Sequence, residues 1–367
     1  MKHNILSLDF WQNTVTYGGK IFDSGTLGCD SLNIPLEVIE LLNGLCMALN
    51  QFMATTNTGY GKPVLLPAAR ESAKQIANLL KDVKPFSYLD VSSADDGVER
   101  VFSEESLANA NAYYAAVQNG TLTNLTDPRY EKGLKLLRVL PIMAHLGFSL
   151  GEYQKSMISF AEKLNEPGCK RTPEGYAKMF GEAFPLTQDF GAEDAWMSMT
   201  NATLQYVPVV RPDCDVPMLV KRMHYVSFVG MFRSDLFEGL YVGHAPKKCP
   251  ICGRWFLTTN ARPTKYCGNL APGDKLRRTC RQIGNLKGRE QRELAEDHPL
   301  KQIYETRLNT INRYVQRGTL DAELAKAMKK LAKDKMLRAI SNVGYAQSDY
   351  EQEMMQTALL AEAKAKL

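Results

Sequence analysis

Eight cysteines stand among the 367 residues, and four of them, Cys249, Cys252, Cys267 and Cys280, fall in one short stretch. Cys249-Pro250-Ile251-Cys252-Gly253 is a C-x2-C pair followed by glycine. That is the shape of a zinc knuckle, in which two thiolates take one ion and the glycine supplies a positive φ. Zn2+ takes four ligands in a tetrahedron, with sulfur at about 2.3 Å, and four local cysteines complete the set without a histidine. With every ligand from the protein the site is closed, so the expected role of the Zn2+ is structural and not catalytic. Such a site supplies roughly 10 to 16 kcal/mol in zinc-finger peptides, enough to order a segment with few apolar residues. Three other chemistries use the same residues less well. Two disulfides would call for an export signal. An iron–sulfur cluster suits a single C-x2-C with long arms poorly. A thioredoxin-like pair needs a βαβ setting. The remaining cysteines, Cys29, Cys46, Cys169 and Cys214, are scattered and read as small core residues.

Charge concentrates in the same place. The first 244 residues carry 21 basic and 27 acidic side chains, whereas Ala245 onward carries 24 basic and 13 acidic, so a net −6 is followed by +11. From Lys247 to Arg292 there are 12 basic residues against Asp274 and Glu290. Arg254, Arg262, Lys265, Lys275, Arg277, Arg278 and Arg281 ring the cysteines, interleaved with Trp255, Phe256 and Tyr266. Cations and aromatics mixed in this way suit phosphate contact and base stacking, which makes nucleic acid, DNA or RNA, the leading partner. The plainer account is that the aromatics form the finger's own small core and the cations answer the net −2 of a zinc tetrathiolate. It leads to a protein-interaction or regulatory scaffold with a purely structural zinc site.

The run Cys-x2-Cys-Gly-Arg-Trp-Phe-Leu, then Arg262, Lys265-Tyr266-Cys267 and Thr279-Cys280, resembles the CGNR-type zinc fingers of bacterial proteins. It is also similar to an uncharacterised bacterial family in which such a finger follows a long helix and precedes a helical tail. The resemblance spans Cys249 to Gly288 and extends weakly to the flanking helices. Two departures stand out. The Cys-Gly-Asn triplet sits at Cys267 rather than at the last ligand, and twelve residues separate the final two cysteines, where CGNR fingers have few.

The elements that must carry this module read as mainly helical. Asn4 to Phe10 and Thr14 to Phe22, with Gly18-Gly19 between strands, predict a short N-terminal β-hairpin. Leu36, Ile39, Leu42, Leu45 and Leu49 predict a helix from Pro35 to Met53. Further helices open at Pro67, at Ser103 with Glu104-Glu105, at Asp127-Pro128 and at Thr172-Pro173. A long helix is expected from Met218 to Leu240, delivering the chain to the cysteines. Gly284 to Glu296 reads as a polar hinge or extension. Helices then open at Asp297, Thr319 and Ser348. The expected organisation is a helical N-terminal domain over 1–244, a four-cysteine zinc finger over 245–290 and a helical C-terminal region over 291–367. Within the last, Lys326, Lys329, Lys330, Lys333, Lys335 and Arg338 line a helix whose apolar stripe is Leu324, Met328, Leu331 and Leu337, an ordinary amphipathic pattern.

No catalytic residue is assigned. Gly147-Phe148-Ser149-Leu150-Gly151 matches the G-x-S-x-G elbow, but the preceding segment reads as helix and not strand. There is no P-loop, no G-x-G-x-x-G and no H-E-x-x-H. An enzyme whose site is assembled across distant helices is the least supported reading. The longest apolar run, Leu140 to Leu150, is broken by Pro141, His145 and Gly147, so no membrane span is expected. The opening Met1-Lys2-His3-Asn4 lacks a leader pattern, and the expected setting is cytoplasmic.

Overall fold

The computed structural model describes residues 6–53, 61–89, 94–122, 127–166, 168–183, 201–259, 264–293 and 298–366. The chain divides into two compact units, Met1–Thr264 and Lys265–Leu367.

The first unit joins a sheet to a helical layer. Its strands are β1 (Ser7–Trp11), β2 (Thr14–Tyr17), β3 (Lys20–Asp23), β4 (Ala202–Val210) and β5 (Pro217–Tyr225), antiparallel in the order β3-β2-β1-β5-β4. The Gly18-Gly19 turn joins β2 to β3 as expected, with φ of 56° and 73°. Alternation sets the faces: Leu8, Phe10, Val15 and Tyr17 are buried, while Ser7, Asp9, Thr14 and Thr16 point the other way and are half-buried. On that polar face Arg222 grips Asp9 with two hydrogen bonds of 2.7 Å.

The helices of this unit are α1 (Thr26–Ser31), α2 (Leu36–Met53), α3 (Leu66–Leu80), α4 (Ala94–Val101), α5 (Glu104–Gln118), α6 (Pro128–Ala144), α7 (Leu146–Lys163), α8 (Pro173–Ala183) and α9 (Phe228–Tyr241). Capping explains where several start. The Ser103 hydroxyl accepts from the Ser106 amide, and the Asp127 carboxylate from the Arg129 amide. A small hairpin, β6 (Ala245–Lys248) with β7 (Trp255–Thr258), closes the unit.

Two expectations change here. The chain is mainly α, but the N-terminal hairpin is part of a five-stranded sheet, and the long helix predicted from Met218 is divided. Residues 217–225 form β5, and the helix starts only at Phe228, where the Ser227 hydroxyl accepts from the Gly230 amide at 3.1 Å. Met218–Tyr225 fits either period; what decides it is pairing with β1, more than 200 residues away in sequence, and with β4. The G-x-S-x-G segment lies in the first turns of α7, so no strand precedes Ser149. Among the described residues no single helix is long and apolar enough to cross a membrane.

Helix α9 is the buried spine. Its Asp235 is fully buried and accepts from the amides of Gly25 and Gly28, both at 3.0 Å, which ties α9 to the start of α1. Burial pushes this carboxyl up to about 7 against the pull of those amides.

The second unit holds α10 (Cys280–Glu293), α11 (Pro299–Gln316), α12 (Ala322–Ser341), α13 (Val343–Ser348), α14 (Tyr350–Glu353) and α15 (Gln356–Ala365). Its core gathers Ile311, Met328, Met336, Tyr350, Met354 and Leu359. The segment read as a polar hinge is helical from Cys280 to Glu293, while 294–296 lie outside the described residues. Helix α11 is capped by His298, whose side chain accepts from the Leu300 amide, and α12 by Asp321 rather than Thr319; Asp297 lies outside the described residues. The single last helix expected from Ser348 becomes two short ones, α14 and α15, and Ser348 itself ends α13. The buried stripe of α12 centres on Ala325, Met328, Ala332 and Met336, so the expected Leu324, Leu331 and Leu337 sit at its half-buried margins. Lys335 bridges Glu353 and Glu362 at 2.7 and 2.8 Å, and the Arg338 guanidinium lies 4.0 Å from the Tyr345 ring centre. Lys326, Lys330 and Lys333 are exposed.

Candidate metal centre

The first cysteine pair sits at the end of the β6–β7 hairpin. Lys248 pairs with Trp255, so the six residues from Cys249 to Arg254 make the connecting loop. The Cys249 amide donates to the Arg254 carbonyl, and the Gly253 amide donates back to the Cys249 carbonyl, each at 2.9 Å. Gly253 has φ 73°, the left-handed conformation that the C-x2-C-G pattern predicts.

Two bonds from Asn33 fix the hairpin within the first unit, and a third closes the hairpin on itself. Asn33, between α1 and α2, uses both ends of its amide: its oxygen accepts from the Trp255 N–H at 2.7 Å and its nitrogen donates to the Trp255 carbonyl at 2.9 Å. The Thr258 hydroxyl donates to the Ala245 carbonyl at 2.8 Å. Trp255 is only 5% exposed and belongs to the main core.

The second pair is built differently. Leu270 and Thr279 form an isolated antiparallel bridge, the Ala271 amide donates to the Arg278 carbonyl, and the Cys280 amide donates to the Asn269 carbonyl at 2.9 Å. These bonds draw the arms of the Cys267–Cys280 loop together. Cys280 is the first residue of α10, where the helix dipole favours a thiolate. Thr279 and Gln282 form a reciprocal capping box: the Gln282 amide donates to the threonine hydroxyl at 3.2 Å, and the Thr279 amide donates to the glutamine side-chain oxygen at 2.7 Å. The Tyr266 ring rests on α10 at Gly284, where a Cβ would fall 2.3 Å from a ring carbon, so no larger residue fits without displacing the tyrosine.

The four sulfurs lie within 4.8 Å of one another; Cys249, Cys267 and Cys280 are buried and Cys252 is partly open. A tetrahedron with metal–sulfur bonds of about 2.3 Å has edges of about 3.8 Å, so closure on a single ion needs only small adjustments. The cluster could hold a metal ion, and its all-sulfur donor set suits soft or borderline metals.

Residues 197–366 match the family of unknown function DUF6076. The matched stretch begins next to β4 and takes in all four cysteines and the helices that follow. No curated protein and no solved structure matches the chain.

The cations expected around the cluster separate into groups. Arg254, Lys265, Lys275, Arg277 and Arg281 are exposed. Arg278 is committed to Asp274, which accepts from its guanidinium at 2.6 Å and from its amide at 2.8 Å. The Arg278 side chain, then its amide, holds the Asp274 carboxyl below its ordinary range. Arg262 lies outside the described residues. Of the aromatics, Trp255 is buried, Phe256 is half-buried and Tyr266 is half-buried against α10.

Sequence reasoning missed Asn33, Asp274 and the Thr279–Gln282 box. The last two had signals: an aspartate four residues before an arginine, and T-x-x-Q ahead of a helix. Asn33 had none, because its partner is 222 positions away.

Proposed function

We propose that Cys249, Cys252, Cys267 and Cys280 hold one structural Zn2+, and that the exposed cations of the Lys265–Arg281 segment bind the phosphate backbone of nucleic acid. Zinc is favoured over an iron–sulfur cluster because four sulfurs gathered within 4.8 Å leave room for one ion. When bound, the ion supplies folding energy and a fixed geometry, with no open position for substrate.

The observation that carries the nucleic-acid reading is the exposure of Lys265, Lys275, Arg277 and Arg281 in one short segment whose acidic residue, Asp274, is already taken by Arg278. A protein that neutralises four phosphates with these side chains should show log K falling with log salt at a slope of about −3.6 on duplex DNA. Electrophoretic mobility shift across a salt series tests this, with Lys275→Glu/Arg277→Glu as the control variant. Binding that is flat in salt, or equal in the control variant, removes the reading.

A second reading, a protein-interaction scaffold, draws on a different feature. Among the described residues strand β4 is an edge strand, nine residues long without a charged side chain, and it exposes Leu204, Tyr206 and Val210 at 50%, 65% and 57%. Exposed edges of that kind invite strand pairing. Sedimentation of the wild type against Gln205→Lys/Val207→Lys tests it, since charges along the edge should abolish any association.

A further inference from the structure

The Cys267–Cys280 loop carries two exposed leucines, of which Leu270, at 55%, is held by its bridge to Thr279. Leu276 is 73% exposed. It stands in a turn, Asp274-Lys275-Leu276-Arg277, closed by the Arg277 amide donating to the Asp274 carbonyl at 3.0 Å. The two central places, held by Lys275 and Leu276, favour polar residues or glycine in such turns, and a leucine there is left standing in water.

The turn is held from both sides. At its base the Ala271 amide donates to the Arg278 carbonyl at 3.0 Å, and the Asp274 amide donates to the Ala271 carbonyl at 3.3 Å. Asp274 clamps the Arg278 guanidinium and amide, and Arg277 adopts a left-handed backbone with φ 52°. The arms lead directly into Cys267 and Cys280. Leu276 is thus displayed on a braced loop between two exposed cations, Lys275 and Arg277.

We propose that Leu276 is a wedge that enters a base step of double-stranded DNA while Lys275 and Arg277 hold the phosphates on either side. This rests on the nucleic-acid reading above and deepens it by naming the duplex as target. Apolar wedges of this kind partly unstack one step and bend the duplex by about 20 to 90°. The remaining aromatics argue against single strands as the target. Trp255 is buried, Phe256 is half-buried, and Tyr266 is half-buried against Gly284 with the Lys265 ammonium over its ring at 5.7 Å, so no fully open aromatic stacking platform of the kind single-strand binders use stands among the described residues around the cysteines. A lipid surface is the other partner that cations around a leucine could meet. One leucine is too little for that, since even a whole fatty-acyl chain gives only marginal membrane binding. A base step needs one side chain.

The test uses the full chain loaded with zinc, a 20-base-pair mixed-sequence duplex carrying a dye at each end (roughly two helical turns), and the same strand unpaired. The wild type should bind the duplex more tightly than the single strand and bring the dyes closer together. Leu276→Ala should lose about tenfold in affinity and most of the bend while keeping the salt slope. Lys275→Gln should reduce the slope by about one and leave the bend. Because Leu276 is exposed, its replacement should not disturb folding, which circular dichroism and zinc content verify. Wild-type salt-dependent binding with an unchanged bend in Leu276→Ala sinks the wedge alone. No wild-type binding to either DNA sinks the nucleic-acid reading together with the wedge. Tighter binding to the single strand, or to equimolar phosphatidylglycerol–phosphatidylcholine vesicles, also overturns the duplex assignment.

Discussion

The two cysteine pairs are held by opposite means. Cys249 and Cys252 sit on a hairpin whose Trp255 is sunk in the main core and whose backbone is clipped by Asn33. Cys267 and Cys280 sit on a loop closed by one bridge, one ion pair and one capping box, with Ala271 as its buried apolar residue outside the cysteines themselves. Burial can hold the first half without a metal. The second half has too little apolar surface to offset the entropy of ordering its backbone, about 1 to 2 kcal/mol per residue, and would draw on the proposed ion.

That contrast can be broken most severely by removing the metal. Chelation, or Cys280→Ser, should forfeit most of the roughly 10 to 16 kcal/mol that such sites supply. Hydrogen exchange should then show the Ala271 and Cys280 amides unprotected while the β6–β7 ladder stays protected. Equal loss in both halves would erase the distinction.

Trp255→Ala attacks the other half. Truncating a buried tryptophan costs about 3 to 5 kcal/mol, and the unfolding midpoint of the first unit should fall accordingly in denaturant.

A pH series sharpens the comparison further, because the first unit carries a buried acid of its own. Asp235 is raised to about 7 when folded, so the native state binds its proton more tightly than the unfolded chain does. Its contribution is fully present at pH below the ordinary carboxylate range and is lost as pH rises toward about 7. Within that window stability should drop by up to about 1.4 kcal/mol per pH unit. The difference between wild type and Asp235→Asn in urea at pH 5 and pH 8 isolates it; an identical pH dependence in both proteins would refute the assignment.

The smallest effect is expected at Thr279→Ala, which removes one side of the capping box and should cost about 1 kcal/mol. Zinc affinity by competition with a chromophoric chelator should weaken by about fivefold if the cap and the ion act on the same loop.

Local chemistry was legible where cause and effect lie a few residues apart. The C-x2-C-G turn, the caps at Ser103 and Asp127, and the Gly18-Gly19 hairpin all appear where their residues placed them. Helix α12 was legible as an element but not in its facing, because alanines and methionines, not the leucines, proved to be the buried stripe. The polar stretch after Cys280 looked like a hinge because its helix depends on a cap and on a tyrosine laid over Gly284.

By itself the sequence determined that four cysteines are gathered in one basic segment and that most of the chain is helical, since ligand spacing and apolar periodicity are local properties. Only the tertiary structure decided that 217–225 is a strand, that Asn33 clips Trp255, that Arg278 answers Asp274, and that Leu276 is left outside. Each of those outcomes turns on which surfaces meet once the chain closes on itself, and a partner some 200 positions away leaves no trace in the residues beside it.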